Sequence, residues 1–227
     1  MSTQPVSLSR DLTTKQVMRA ELGNVDMAVW RSASGVVSAW DNRCPHRGMR
    51  LSHGFVRGES LACAYHGWHY NCAGACHYIP AHPELDPPKT IKANVYNVTE
   101  ASGIIWVNTT GNVSPIDIPS STVPVRSIPI ECPVESALNG FSKHTHQSLL
   151  TQHTQAEIIA DTPYVLALTP VGSNAIGVYI AFQRVNDSTT VAHMTATDNA
   201  SINDVVALSR WANEVRDITE TSTGVTE

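Results

Sequence analysis

Two short segments of the chain each hold one thiol and one imidazole: Cys44-Pro-His46 and, sixteen residues further on, Cys63-Ala-Tyr-His66. A deprotonated cysteine is a soft anionic ligand and a neutral histidine a borderline one, so four such donors suit a transition metal. A zinc ion and an iron–sulfur cluster both take sets of this kind. Zinc sites of two cysteines and two histidines usually pair like with like along the chain, whereas each segment here is mixed. His53, His69, His77 and His82 lie close in sequence but off this spacing. Cys72 and Cys76 form a C-x₃-C stretch around Gly74, which reads as a turn carrying two small, half-buried thiols.

The donors must be delivered by loops, and the flanking sequence supplies strands to carry them. VMRAELGN, DMAVWRS and VVSAWDN are β-rich runs punctuated by Gly23-Asn24 and Gly35. GFVRGESLAC reads as a hairpin turning at Arg57-Gly58, and IKANVYNVTEASGIIWVN as two more strands around Ser102-Gly103. Residues 1–108 are therefore expected to form an antiparallel β domain. Five prolines between residues 109 and 133 remove backbone donors and favour extended chain, so this segment is expected to be a linker or surface strap. From residue 134 to 227 the expectation is a small α+β part. YVLALTPVG, AIGVYIAFQRV and TTVAHMTATD read as three antiparallel strands, followed by a helix near residues 203–217. Ser201 or Asn203 can cap that helix, and Val205, Leu208, Trp211, Ala212 and Val215 share its packing face. The fold class expected is mainly β.

Composition narrows the function. A net charge of −5 with no block of like charge argues against a nucleic-acid partner. No apolar run approaches the ~18–20 residues that span a bilayer, and the first residues lack the apolar core of a signal peptide. Five cysteines, an odd number, do not suggest a disulfide framework. A cytoplasmic protein is expected.

The mixed pairs resemble the Rieske [2Fe–2S] proteins. The resemblance implies that Cys44 and Cys63 ligate one iron and His46 and His66 the other. Neutral imidazoles in place of two thiolates reduce the negative charge on the cluster and raise its potential, to roughly −150 to +300 mV against about −400 mV for plant-type ferredoxins. Rieske proteins of respiratory complexes add a linked cysteine to each loop; Met49 and Tyr65 stand at those places here. CPHRG followed by YHGWHY instead resembles Rieske non-haem iron oxygenases of the ring-hydroxylating and demethylating type. In that setting Trp68 is expected to pack over the cluster, and backbone N–H groups of the glycine-containing loops to help tune it. The resemblance covers residues 16–108.

Such oxygenases carry, in a second domain, a mononuclear Fe(II) held by two histidines and a carboxylate. The nearest segment here, ESALNGFSKHTHQSLLTQHTQAE, offers His146 and His153, seven residues apart, with His144 as a substitute. Asp217 resembles the late carboxylate. The family's Asp-x₂-His-x₄-His spacing is not kept, and Ser142 stands where a linking aspartate is sought. These histidines otherwise read as residues of a polar turn. The C-terminal part also looks like an abbreviated form of the oxygenase domain. Two functions follow from the resemblance. One is an oxygenase component that takes electrons from a reductase or ferredoxin to its own iron, for O₂-dependent oxidation of a small organic substrate. The other is an electron-transfer subunit that donates to a separate oxygenase partner. A homotrimer is implied by the same resemblance.

Overall fold

The structure, a computed structural model, describes residues 3–113, 117–145, 154–161, 164–170, 176–222 and 224. Its elements in chain order are β1 (Gln4–Leu8), β2 (Val17–Leu22), β3 (Val25–Arg31), β4 (Val37–Asp41), β5 (Phe55–Arg57), β6 (Ser60–Ala62), β7 (His69–Asn71), β8 (Cys76–Tyr78), β9 (Val95–Ala101), β10 (Ile104–Asn108), β11 (Thr122–Ile130), α1 (Val134–Lys143), β12 (Thr154–Asp161), β13 (Tyr164–Pro170), β14 (Val178–Arg184), β15 (Thr190–Thr197) and α2 (Ile202–Ser222). All named strand pairs are antiparallel. They build a six-stranded sheet ordered β1-β10-β9-β4-β3-β2, a four-stranded sheet β5-β6-β7-β8 inserted between β4 and β9, and a five-stranded sheet β11-β15-β14-β13-β12. The mainly β class and the hairpins expected over residues 16–108 are present.

Strand β10 shows how the two halves share a wall. Its run Ile-Ile-Trp-Val is buried throughout, because alternate side chains serve different cores. Ile105 and Val107 join Val6, Met27 and Val29 inside the N-terminal sheet, whereas Ile104 and Trp106 join Leu8, Val165, Tyr179 and Ala181 against the second sheet. Each such side chain withdrawn from water contributes roughly 1.5–3 kcal/mol. Polar contacts add direction to the junction. Gly23 N–H donates to the Arg184 carbonyl at 3.1 Å, and the Arg10 guanidinium donates to the carbonyls of Pro124 (2.9 Å) and Val125 (2.6 Å). Gln183 Nε2 donates to the Glu21 carbonyl at 2.8 Å, which turns its Oε1 toward His193 Nε2 at 2.9 Å. His193 is therefore the Nε2–H tautomer, and its Nδ1 accepts from Ser127 Oγ at 2.8 Å. Complete burial holds the His193 pKa down at about 3, so the ring is neutral.

Within the proline-rich segment 109–133, Thr122–Ile130 is a nine-residue strand rather than a strap. It lies at the edge of its sheet, with a register irregularity between Pro124 and Arg126, and an edge is where a strand tolerates residues without N–H. The expected C-terminal strands are β13, β14 and β15, and the sheet gains β11 and β12 as well. Helix α2 begins at a reciprocal cap: Ser201 Oγ accepts from Asp204 N–H at 3.3 Å, and Ser201 N–H donates to Asp204 Oδ2 at 2.8 Å. Leu208, Trp211, Ala212 and Val215 are buried on its inner face.

Helix α1 was not anticipated, and Gly140 explains why it looks unlike a helix in sequence. A Cβ there would lie 2.1 Å from Thr219 Oγ1 of α2, so glycine's poor helix propensity is accepted for close approach of the two helices.

Candidate metal centre

Two loops project side by side from the four-stranded sheet and its entry, and they have the same backbone. In the first, Cys44 N–H donates to the Met49 carbonyl and Gly48 N–H to the Cys44 carbonyl, both at 2.8 Å. In the second, Cys63 N–H donates to the Trp68 carbonyl at 3.0 Å and Gly67 N–H to the Cys63 carbonyl at 2.9 Å. Gly48 (φ +70°) and Gly67 (φ +68°) occupy the left-handed region that lets each loop close. An isolated bridge between Arg43 and Arg50 pins the first loop, and strands β6 and β7 pin the second.

This geometry sorts the donors by depth. Cys44 and Cys63 are 3% and 2% exposed and pack with Leu51, Leu61, Tyr70 and Ile79. His66 is exposed and His46 half-buried, with ring centroids 4.6 Å apart. Trp68 stacks on His46 at 3.9 Å and 8°, and Tyr65 lies against His66 at 3.9 Å. The structure thus brings the residues of the sequence pattern together as two pairs, the thiols of Cys44 and Cys63 in the interior and the imidazoles of His46 and His66 nearer the surface. Among the described residues no three Cys, His, Asp or Glu side chains are grouped as a single-ion site requires. The donors come as two pairs.

Local electrostatics follow from depth. Burial pushes the Cys63 thiol pKa up, backbone N–H groups of Tyr65 and His66 pull it down, and the neighbouring Cys44 raises it again. His46 is lowered by burial first, then by His66 and by Arg47. Tyr70 was missed in sequence. Its fully buried hydroxyl lies 3.1 Å from Cys44 Sγ, and burial, with Cys44 next, raises its pKa strongly. The only signal for it was an aromatic residue placed on the inward side of β7.

The other histidines and cysteines of this region are placed differently. His77 Nε2 contacts Ser60 Oγ at 2.7 Å, and His69 packs edge-on against His77 and Tyr78. His53 and His82 are exposed. Cys72 and Cys76 flank a turn in which Asn71 Oδ1 accepts from Ala73 and Ala75 N–H, both at 3.1 Å. Of the second candidate site, His146 and His153 lie outside the described residues. His144 ends α1, its carbonyl accepting from Trp211 Nε1 at 3.0 Å. The Asp217 side chain is 64% exposed and pairs with Arg216 at 2.6 Å.

Comparison with known proteins addresses the cluster half of the chain most directly. Residues 2–96 match the Rieske [2Fe–2S] domain. Over 103 residues the chain is 45% identical to the oxidoreductase NdmD of Pseudomonas putida, which is 45% of this chain and 18% of that protein. Over 106 residues it is 39% identical to a 4beta-methylsterol monooxygenase of Methylococcus capsulatus, 45% of this chain and 28% of that one. The match thus spans less than a third of these relatives' own length. Among solved structures, NdmA of Pseudomonas putida CBB5 superposes with a TM-score of 0.80 at 18% identity, over 96% of this chain and 80% of that one. Dicamba monooxygenase bound to dicamba superposes at 0.70 and 17% identity, over 100% and 90%. These likenesses give the fold of both halves.

Proposed function

We propose that the chain, whose residues 2–96 match the Rieske [2Fe–2S] domain, is a Rieske oxidoreductase serving a non-haem iron oxygenase system. It takes electrons from a reductase or ferredoxin and passes them on for O₂-dependent oxidation of a small organic substrate. Cys44 and Cys63 would hold one iron and His46 and His66 the other, and the cluster so bound supplies a one-electron carrier of raised potential. The observation that carries this reading is the division of the donors by depth, with anionic thiols inside and neutral imidazoles outside. The chain's own residues then have definite tasks. Leu51, Leu61 and Ile79 keep water from the thiols. The N–H groups of Tyr65 and His66 stabilise charge on Cys63, the Tyr70 hydroxyl donates toward Cys44, and Trp68 fixes the plane of His46.

One observation favours a separate subunit as the acceptor of the electron: Asp217 is exposed and engaged by Arg216 instead of facing the helix-packing interior. The alternative, a mononuclear Fe(II) held by this chain through His146, His153 and Asp217, draws on the likeness of the whole fold to NdmA and dicamba monooxygenase. Among the described residues no helix is long and apolar enough to cross a membrane. The reading takes the protein to be cytoplasmic, in a homotrimer or with an oxygenase partner.

Metal and sulfide analysis of anaerobically purified protein tests both readings. The expected result is two irons and two acid-labile sulfides per chain, with no further iron retained after incubation with Fe(II). A third iron that disappears in His153→Ala and Asp217→Asn would establish the alternative. Zinc without sulfide would overturn both.

A further inference from the structure

Trp30, Trp40, Trp106 and Trp211 are fully buried, and they divide by what their indole N–H groups meet. Trp106 Nε1 donates to the Ala101 carbonyl at 3.1 Å and Trp211 Nε1 to the His144 carbonyl at 3.0 Å. Among the described residues, the N–H groups of Trp30 and Trp40 find no hydrogen-bond acceptor. A buried donor left without an acceptor costs about 1–3 kcal/mol, and a phenylalanine at either position would carry no such donor. Packing alone therefore does not account for an indole N–H at these two places.

Both indoles belong to a series of rings that starts at the thiol pair. The Tyr70 hydroxyl is 3.1 Å from Cys44 Sγ, and the Tyr70 ring is 6.4 Å from that of Trp40. Trp40 is opposite Ala28 and Trp30 opposite Ser38 in the β3–β4 pair, so the two indoles are diagonal neighbours on one face. Their ring centroids are 5.0 Å apart, edge to face. The series thus leads from one cysteine, through β7 of the four-stranded sheet, into β4 and β3 of the six-stranded one. At its far end Trp30 pairs with Val17, a half-buried residue of the edge strand β2.

We propose that Trp40 and Trp30 are an electron reserve that protects the cysteine side of the centre from a peroxide-derived one-electron oxidant. The inference rests on the reading of the four donors as cluster ligands. One electron moves at each stage. The oxidant is reduced by one electron at the Cys44 side, Trp40 replaces that electron through Tyr70, and Trp30 refills Trp40. A small one-electron reductant such as ascorbate then restores Trp30 near the β2 edge. No proton leaves either ring, because neither N–H faces an acceptor, so each indole passes through a radical cation that keeps its hydrogen. Full burial keeps water from both rings, and the returning electron regenerates tryptophan instead of a hydroxylated product. Burial also makes a cation costly. The pair therefore stays reduced at potentials of roughly −150 to +300 mV and yields only to a strong oxidant.

The test uses the cluster-loaded full chain, its iron and sulfide counted beforehand, and a photogenerated ruthenium(III) complex as the one-electron oxidant. Transient absorption should show an indole radical that keeps its proton, and added ascorbate should remove it. Mass spectrometry should then find no oxygen added at Trp30 or Trp40. Trp68 is half-buried, so a radical there loses its proton to water and is told apart. Trp40→Phe should abolish the protonated radical and lose acid-labile sulfide several-fold faster per flash. Trp30→Phe should keep the radical on Trp40, slow its removal by ascorbate and lose sulfide at an intermediate rate, which keeps the test open if Trp40→Phe fails to fold. Trp106→Phe, which changes a hydrogen-bonded indole outside the series, should leave both readouts as in the parent. Absence of a protonated radical in the parent overturns the proposal. So does sulfide loss in Trp40→Phe or Trp30→Phe equal to the parent's, or an equal change in Trp106→Phe. Missing sulfide before the first flash would instead overturn the ligand reading, and this proposal with it, so the two failures are distinct.

Discussion

From Cys44 to Met49 and from Cys63 to Trp68 the chain makes one turn twice, closed each time by the same two hydrogen bonds and a left-handed glycine. What each thiol meets is different. Cys44 lies against a side-chain hydroxyl, that of Tyr70, whereas Cys63 receives backbone N–H groups from its own loop. The outward faces differ too: Trp68 of the second loop stacks on His46 of the first, while Tyr65 covers His66 from within its own loop. Placement of the four donor side chains is thus written into a repeated backbone, and their individual surroundings into unrepeated neighbours. The first can be broken symmetrically; the second only on one side.

The largest effect should be symmetric. Cys44→Ser and Cys63→Ser should each abolish the cluster, read as loss of acid-labile sulfide and visible absorbance, because serine is a poor ligand for iron in a sulfide cluster. A variant that kept a full complement of sulfide would remove that cysteine from the ligand set. His46→Cys and His66→Cys should each lower the midpoint potential by roughly 100 mV or more, since each restores an anionic thiolate. An unchanged potential in either would contradict the assignment of that loop.

The glycines should separate the loops. Gly48→Ala places a Cβ with only Arg43 Nη2 nearby, at 3.8 Å, so its cost is the left-handed strain of about 1–2 kcal/mol. Gly67→Ala adds a contact of 3.1 Å with Pro80 Cγ and should cost about 2–4 kcal/mol by urea unfolding. Equal costs would mean that Pro80 yields freely. The smallest effect should be confined to one side: Tyr70→Phe removes a hydrogen bond worth about 0.5–1.5 kcal/mol, which for one electron lowers the potential by roughly 20–65 mV. A shift of the opposite sign would show that the hydroxyl does not favour the reduced state.

The loops were legible in sequence because their Cys, His and Gly residues recur at restricted spacing, and because hairpins at Arg57-Gly58 and Ser102-Gly103 announce themselves through glycine. Three features were not legible, each because a tertiary contact overrides a local preference. Pro124 and Pro129 suggest a strap, and only membership of a sheet edge makes them compatible with β11. Gly140 argues against a helix until Thr219 stands opposite it. Tyr70 is one more alternating aromatic until the fold brings Cys44 to its hydroxyl, twenty-six residues away in sequence. Of the second candidate site, the sequence names residues but offers no repeated backbone to place them. The described residues put Asp217 on the outside of α2.

The seam between the two sheets has a consequence for traffic. A redox domain on a swivel can load at one station and unload at another. Here Arg10, Gln183 and the neutral ring of His193 bolt the ligand-bearing half to the five-stranded sheet, and β10 belongs to both cores. The imidazole edge is held in place, so under the proposed function it would be a single fixed port. If incoming and outgoing partners both use it, they must queue, and throughput is then set as much by how fast a spent donor leaves as by how fast a fresh one arrives.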